Sequence, residues 1–353
     1  MLDHMLADRT RVFGLVRLMT IVIAVALAGG IAVGQRATTP AFADRIATLS
    51  EPPGYFDTDN LISNEREYLS VIPQLARAQV HGGAYIGVGP DQNFSYIAAV
   101  RPSVALIIDI RRDNLLLHLL FKALFEQSRT RVEYLSQLTG RAVPIDALAW
   151  RARTVNDIVA YVDRSRVDET RVVDVLRSRL TATIQGYGLA LTATDLATID
   201  RFHRQFIAAG LGLRFQSTGR PPQSGYPTFR DLIVATDDTG RQSNYLASED
   251  AFQFVKGLEA RDLVIPVVGD LSGPKALKAI GGFVRERGER VSTFYASNVE
   301  FYLVREGTFP RFLDNLRALP LVDNATLIRS IFGGGGVSYS ETAPIRTVID
   351  GRR

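Results

Sequence analysis

Short unbroken runs of apolar residues, each closed by glycine, aspartate or a polar pair, punctuate the chain at Ala84 to Val88, Val104 to Ile108, Leu263 to Val268 and Val291 to Ala296. Runs of this length without polar alternation predict strands buried on both faces, as in a parallel sheet. Leu211 to Phe215 reads as a further strand, the third in chain order. Between these runs the apolar period lengthens. A helix is predicted from near Asn93, and a longer one after an Asp113-Asn114 cap, with Leu115, Leu119, Lys122 and Phe125 in register. From Glu126 to about Gly210 the pattern is helical, with Val155, Ile158, Val159 and Val162 on one stripe and Val172, Val173, Leu176 and Leu180 on another. This is a helical insertion between the second and third strands, a packing layer or a lid. Another helix is predicted from near Pro274. Prolines and glycines from Gly219 to Pro227 and the glycines from Gly333 to Gly336 read as loops.

Strands joined by helices imply right-handed parallel crossovers, and ligands of such sheets bind outside the carboxyl ends of the strands. The tips after Val88, Ile108, Val268 and Ala296 should therefore meet at one cleft, with Asp109, Asp270 and Asn298 on its rim.

The first strand and its successor carry the sharpest chemistry. Gly87-Val88-Gly89-Pro90 forms a glycine turn ahead of a helix, and Asp109 ends the second strand 22 residues after Gly87. Glycines let the backbone approach a ligand closely, the helix start offers free N–H groups, and a strand-end carboxylate accepts hydrogen bonds from ribose hydroxyls. Asp91 stands where the dinucleotide fingerprint has its third glycine. The plainer alternative is a tight turn followed by a strand-end aspartate.

The N-terminus changes the picture of location. Arg9, Arg11 and Arg17 precede an uncharged apolar run from Leu18 to Gly34, and Ala41-Phe42-Ala43 supplies a cleavage pattern. This predicts a signal peptide cut after Ala43, or failing that an uncleaved anchor, with the remainder exported in either case. A buried N-terminal helix is the third alternative. Residues 44–54 then read as a linker, 55–332 as the domain, and 333–353 as a glycine-rich loop and tail.

Composition removes several chemistries. The 353 residues include no cysteine, so disulfides, thiolate metal sites and a cysteine nucleophile are excluded. Four scattered histidines, His4, His81, His118 and His203, predict no metal site. A net charge of +4, with acidic and basic residues interspersed, predicts no nucleic-acid partner.

The stretch from Gly82 to Asp91, followed by Ala105 to Arg111, resembles motifs I and II of class I S-adenosylmethionine-dependent methyltransferases. From about Tyr55 to Phe332 the chain resembles an uncharacterised bacterial family of methyltransferase-like proteins, through Phe56 to Glu65, Gly87 to Phe94, Asp109 to Asn114, Val267 to Asp270 and Ser297 to Glu300. The resemblance implies an α/β fold, a Rossmann-like sheet with helices on both faces, and S-adenosylmethionine as cofactor. It implies that Gly87, Gly89 and Asp91 line the cofactor, that Asp109 holds its ribose, and that Asp59, Asn64 and Glu65 close over it. Asp270, Asn298 and Glu300 become candidates for catalysis, the acids as general base or substrate orienters. Two departures stand out. Tyr85 replaces the acidic residue that usually precedes the first glycine by two, and no N-P-P-Y motif follows the fourth strand. The substrate is expected to be a small molecule or an envelope component. The competing reading is an exported non-enzymatic protein that keeps the fold for another ligand or partner. A nicotinamide-dependent oxidoreductase ranks third, lacking the third glycine and an evident proton donor.

Overall fold

The computed structural model describes residues 41–58, 60–217, 225–332 and 338–351. The apolar run from Leu18 to Gly34, Asp59, most of the proline-rich loop and the glycines from Gly333 to Gly336 lie outside the described residues.

Six strands form one sheet in the order β3-β2-β1-β4-β5-β6. They are β1 (Ala84–Gly87), β2 (Val104–Asp109), β3 (Val264–Val268), β4 (Val291–Ser297), β5 (Leu321–Phe332) and β6 (Ser338–Pro344). The first five run parallel and β6 pairs antiparallel with β5. The chain builds outward from β1 to β3, then crosses back to lay β4 on the other side of β1. The order therefore reverses between β1 and β4. By the right-handed crossover rule, helices on the outward leg cover one face and those on the return leg the other. Packing agrees: helix Glu249–Glu259 lies on Gln92–Val100 and Arg112–Gln127, whereas Ala276–Glu286 packs with Phe42–Leu49 and Phe309–Arg317.

The apolar runs become strands for the expected reason. All but the last residue of β2, and all of β3, are buried. Although β3 is an edge strand, its end is covered: the Glu51 amide donates to the Val268 carbonyl at 2.9 Å, and the Val268 amide donates to Ser50 Oγ at 3.0 Å. Pro266 fits here because an edge strand can forgo one N–H. On the first helical face Phe94 is the hub of an aromatic core, with Phe125 and Tyr245 both at 5.3 Å between ring centroids.

Several sequence expectations change. Leu211 to Phe215 is not a strand; it begins in a short 3-10 turn (Gly210–Gly212), Leu211 and Leu213 join the hydrophobic core, and Phe215 is buried beside Tyr226. Its apolar alternation serves packing, and the third strand is Val264–Val268. The expected linker is strapped to the sheet, with Phe42–Leu49 helical and Phe42 buried beside Tyr187. The expected tail supplies β6 and a terminal turn of helix, Ile345–Ile349. The cap also shifts: the helix expected after Asp113-Asn114 begins at Arg112, with Asp113 in its first turn. Helices Arg131–Leu138, Val155–Arg164, Thr170–Gln185 and Ala193–Ala209 occupy the predicted insertion. Its second stripe is only half buried: Leu176 and Leu180 face inward while Val172 is exposed.

Candidate functional site

Where the strand order reverses, the carboxyl ends of the strands leave a cleft of about 240 Å³. The loop after β1 contributes Val88, Gly89 and Pro90; the tip of β2 contributes Asp109 and Arg111; the loop after β3 contributes Gly269 and Asp270; the end of β4 contributes Ser297 and Asn298. Residues 55–58 and 60–64 form the opposite wall, through Phe56, Thr58, Ser63 and Asn64 among others.

One side chain organises the glycine loop. Asn93, fully buried, donates to the carbonyls of Val88 (2.9 Å), Gly89 (3.3 Å) and Pro90 (2.7 Å), and its Oδ1 accepts from the Tyr85 hydroxyl at 2.8 Å. A Cβ on Gly87 would sit 1.9 Å from Asn93 Oδ1, so this glycine makes room for the loop's own scaffold rather than for a ligand. Gly89 is the glycine at the cleft, with φ +81°, and an added Cβ would meet only Asn60 Nδ2 at 3.4 Å. His118 holds the Gly89 carbonyl at 2.9 Å, and burial pulls its imidazole down to about 4, leaving the ring neutral at pH 7. Tyr85, in the place of an acidic residue, is thus part of the loop's support.

Asp109 is at the cleft but not alone. Arg111 closes on it as a fork, Nε to Oδ1 at 3.0 Å and Nη2 to Oδ2 at 2.8 Å, while the Arg111 amide also donates to Oδ1 at 2.9 Å. Nη1 reaches the Thr58 carbonyl at 2.9 Å, so the pair ties Thr58, on the opposite wall, to β2. The side chains of Arg111 and Asp109 are 8% and 11% exposed, which makes this a desolvated, charge-assisted contact.

The other expected residues divide. Asp270 and Asn298 line the cleft, and the Asp270 carboxylate is held by the amide and hydroxyl of Ser272 at 2.8 and 3.0 Å. Asn64 lines the cleft as well. Glu300 is absent from the lining; it pairs with Arg329 at 3.3 Å, which also grips Glu341 at 2.7 Å, so it fastens its helix to the β5-β6 hairpin. Asp91 turns away from the cleft into the aromatic core, where Tyr245 donates to it at 3.3 Å. Glu65 lies just behind the wall, 2% exposed, accepting from the Tyr295 hydroxyl at 2.9 Å and from Ser297 Oγ. Gln92 in turn donates to Tyr295 at 2.6 Å. Burial raises the Glu65 carboxyl above the usual range.

Arg111, Ser297 and Tyr295 escape the sequence reading. An arginine two residues beyond a strand-end aspartate is a visible signal for the first; the backbone of Ser297, at φ +52°, has no sequence signature. Phe56 and Tyr302, edge-to-face at 5.0 Å, and Phe215 and Tyr226 at 5.2 Å add aromatic surface beside the cleft. Among the described residues no cluster of histidine, aspartate and glutamate is arranged to hold a metal ion.

Burial pushes the Asp91 carboxyl from 3.8 up to about 7. Folding therefore takes up a proton there, and the associated stability is complete below pH 4 and lost as the pH rises through 7. Asp91→Asn removes this dependence. The variant is expected to gain on the parent between pH 5 and pH 8, by up to about 3 kcal/mol. Thermal melts at both pH values check it, and an identical pH response in the two proteins would contradict it.

The profile of the family described as a domain of unknown function (DUF7790) matches residues 60–151 and 226–348, and the chain belongs to that family. The two blocks contain all six strands and the cleft-forming tips. The unmatched interval holds helices Val155–Arg164, Thr170–Gln185 and Ala193–Ala209, so most of the helical insertion lies outside the matched residues. No match was found among curated proteins.

Proposed function

We propose that the chain is a methyltransferase with a Rossmann-like class I sheet, using S-adenosylmethionine on a small molecule or envelope component. The observation that carries this reading is the joint placement of the Gly89 turn and the Asp109 carboxylate in one cleft at the strand-order reversal. The order 3-2-1-4-5 with an antiparallel strand appended supports it. The residues fit the cofactor on one condition. Ribose hydroxyls would take over the Asp109 oxygens from the Arg111 fork, and Gly89 presents an open backbone beside them. The bound cofactor supplies an activated methyl group. The protein's part is to position a nucleophile in line and to remove its proton. Asp270 and Asn298, on the rim, are the orienting groups; Glu300, facing Arg329, is not in reach of the cleft.

A second reading has its own observation. With Arg111 on both oxygens of Asp109 and Tyr85 serving the loop, the same fold suits an exported binding protein with another ligand. Export itself rests on the run from Leu18 to Gly34. Cleavage after Ala43 would sever Phe42 from the helix Phe42–Leu49, so an uncleaved anchor is the form that keeps this helix whole.

Calorimetric titration of the full chain with S-adenosylhomocysteine, and separately with NADH, separates the readings. Micromolar binding of the first alone is the expected result. No binding by the folded chain would overturn the methyltransferase reading and favour the second.

A further inference from the structure

Ser297 closes β4 and leads into the helix Val299–Arg305 with a backbone φ of +52°. A non-glycine residue held in the left-handed region is strained, and such strain collects at functional sites. A strand-to-helix turn of this kind lifts a serine hydroxyl out of the sheet, and Ser297 lines the cleft. Its Oγ donates to Oε1 of Glu65. The same oxygen accepts from Tyr295, which Gln92 holds, and the Glu65 amide is fixed by Ser63 Oγ at 3.0 Å. The other oxygen, Oε2, is buried without a hydrogen-bond partner. A hydroxyl bonded to an acid-base group that a third group orients is the arrangement of an activated nucleophile.

We propose that Ser297 is a nucleophilic serine with Glu65 as its general base, so that the cleft accepts an acyl or phosphonyl group from an ester-like molecule. Ser297 Oγ forms the new bond to carbon or phosphorus, its proton passes to the Glu65 carboxylate, and the leaving group departs. With an alkoxide leaving group, Glu65 returns that proton. Water then releases the acyl group by the reverse sequence, its proton passing to Glu65 and on to Ser297 Oγ. The Asn298 side chain, next along the cleft, offers an amide donor to the developing oxyanion. This activity is independent of S-adenosylmethionine, since it uses Ser297 and Glu65 rather than Asp109.

The pH response follows from the surroundings of Glu65. The titratable groups that face it are the phenols of Tyr295 on β4, Tyr85 on β1 and Tyr96 on the helix Gln92–Val100, each driven up by burial and neutral. Among these neighbours there is no cation to keep the carboxylate charged, and burial favours its protonated form. Nucleophilicity should thus rise with pH through a value above the ordinary carboxylate range.

The test is incubation of the full chain with a fluorophosphonate probe, followed by peptide mass spectrometry. A single adduct on Ser297 is expected, with fluoride released, a rate that rises with pH, and loss of labelling in Ser297→Ala. Glu65→Gln, which keeps the size and hydrogen bonding of the side chain, should slow labelling by about 10²-fold or more. Circular dichroism establishes that each variant is folded. No adduct on folded parent protein, an adduct elsewhere only, or an unchanged rate in folded Glu65→Gln would each overturn the proposal.

Discussion

Replacing Gly87 by alanine is expected to destabilise the chain by about 3 kcal/mol or more, read from urea denaturation, and to do so more severely than the same change at Gly89. The added methyl group would lie 1.9 Å from Asn93 Oδ1 and 2.7 Å from the Tyr85 ring, both fully buried. Neither neighbour is a free chain end. Displacing Asn93 breaks its bonds to three loop carbonyls and to the Tyr85 hydroxyl, so overpacking is compounded by unpaired buried groups. At Gly89 the obstacle is conformational: φ of +81° disfavours a side chain by about 1–2 kcal/mol, while the Cβ meets ordinary contact. The reverse ranking would mean that Asn93 and Tyr85 move aside for a methyl group and that Gly87 is not required by the loop's scaffold.

Asp109→Ala should cost about 3 kcal/mol, because it removes the carboxylate that two edges of the largely buried Arg111 guanidinium grip. Arg111→Ala should cost a similar amount by stranding Asp109. The double variant is expected to lose much less than the sum of the two, since each single variant already loses the whole fork. A double-mutant cycle in urea measures this coupling. Simple additivity would show that the fork seen here contributes nothing to stability, and that Asp109 and Arg111 act separately.

The strands most legible in the sequence were those buried on both faces. β1, β2, β3 and β4 carry unbroken apolar runs closed by turn residues, and the carboxyl tips followed from their order. β5 and β6 were not legible. Leu321–Phe332 mixes Asp323, Asn324 and Arg329 among its apolar residues, and β6 exposes much of its length, so neither shows a buried-strand pattern. Leu211 to Phe215 misled for the opposite reason: its buried apolar residues, outside any strand, alternate as strand residues do.

For the site, Asp109, Asp270, Asn298 and Gly89 reach the cleft because each sits at a strand tip, a position that chain order alone defines. Asp91 and Glu300 lie at strand-to-helix junctions, where a rotation of one residue decides whether a side chain faces ligand or core. That rotation is set by tertiary partners: Tyr245 for Asp91 and Arg329 for Glu300. Glu65 shows a related limit. It was expected to close over the cofactor with Asp59 and Asn64, yet it is drawn behind the cleft by Tyr295 and Ser297, more than two hundred residues away.

Under the proposed function Asp109 at the tip of β2 receives the ribose of a nucleoside cofactor, and Asp109→Asn isolates that contact while sparing side-chain volume and a hydrogen bond to Arg111. S-adenosylhomocysteine titrated into the full chain and into this variant should bind the first at micromolar concentration and the second at least about tenfold more weakly. Equal affinities in two folded proteins would contradict the assignment of Asp109 to the ligand.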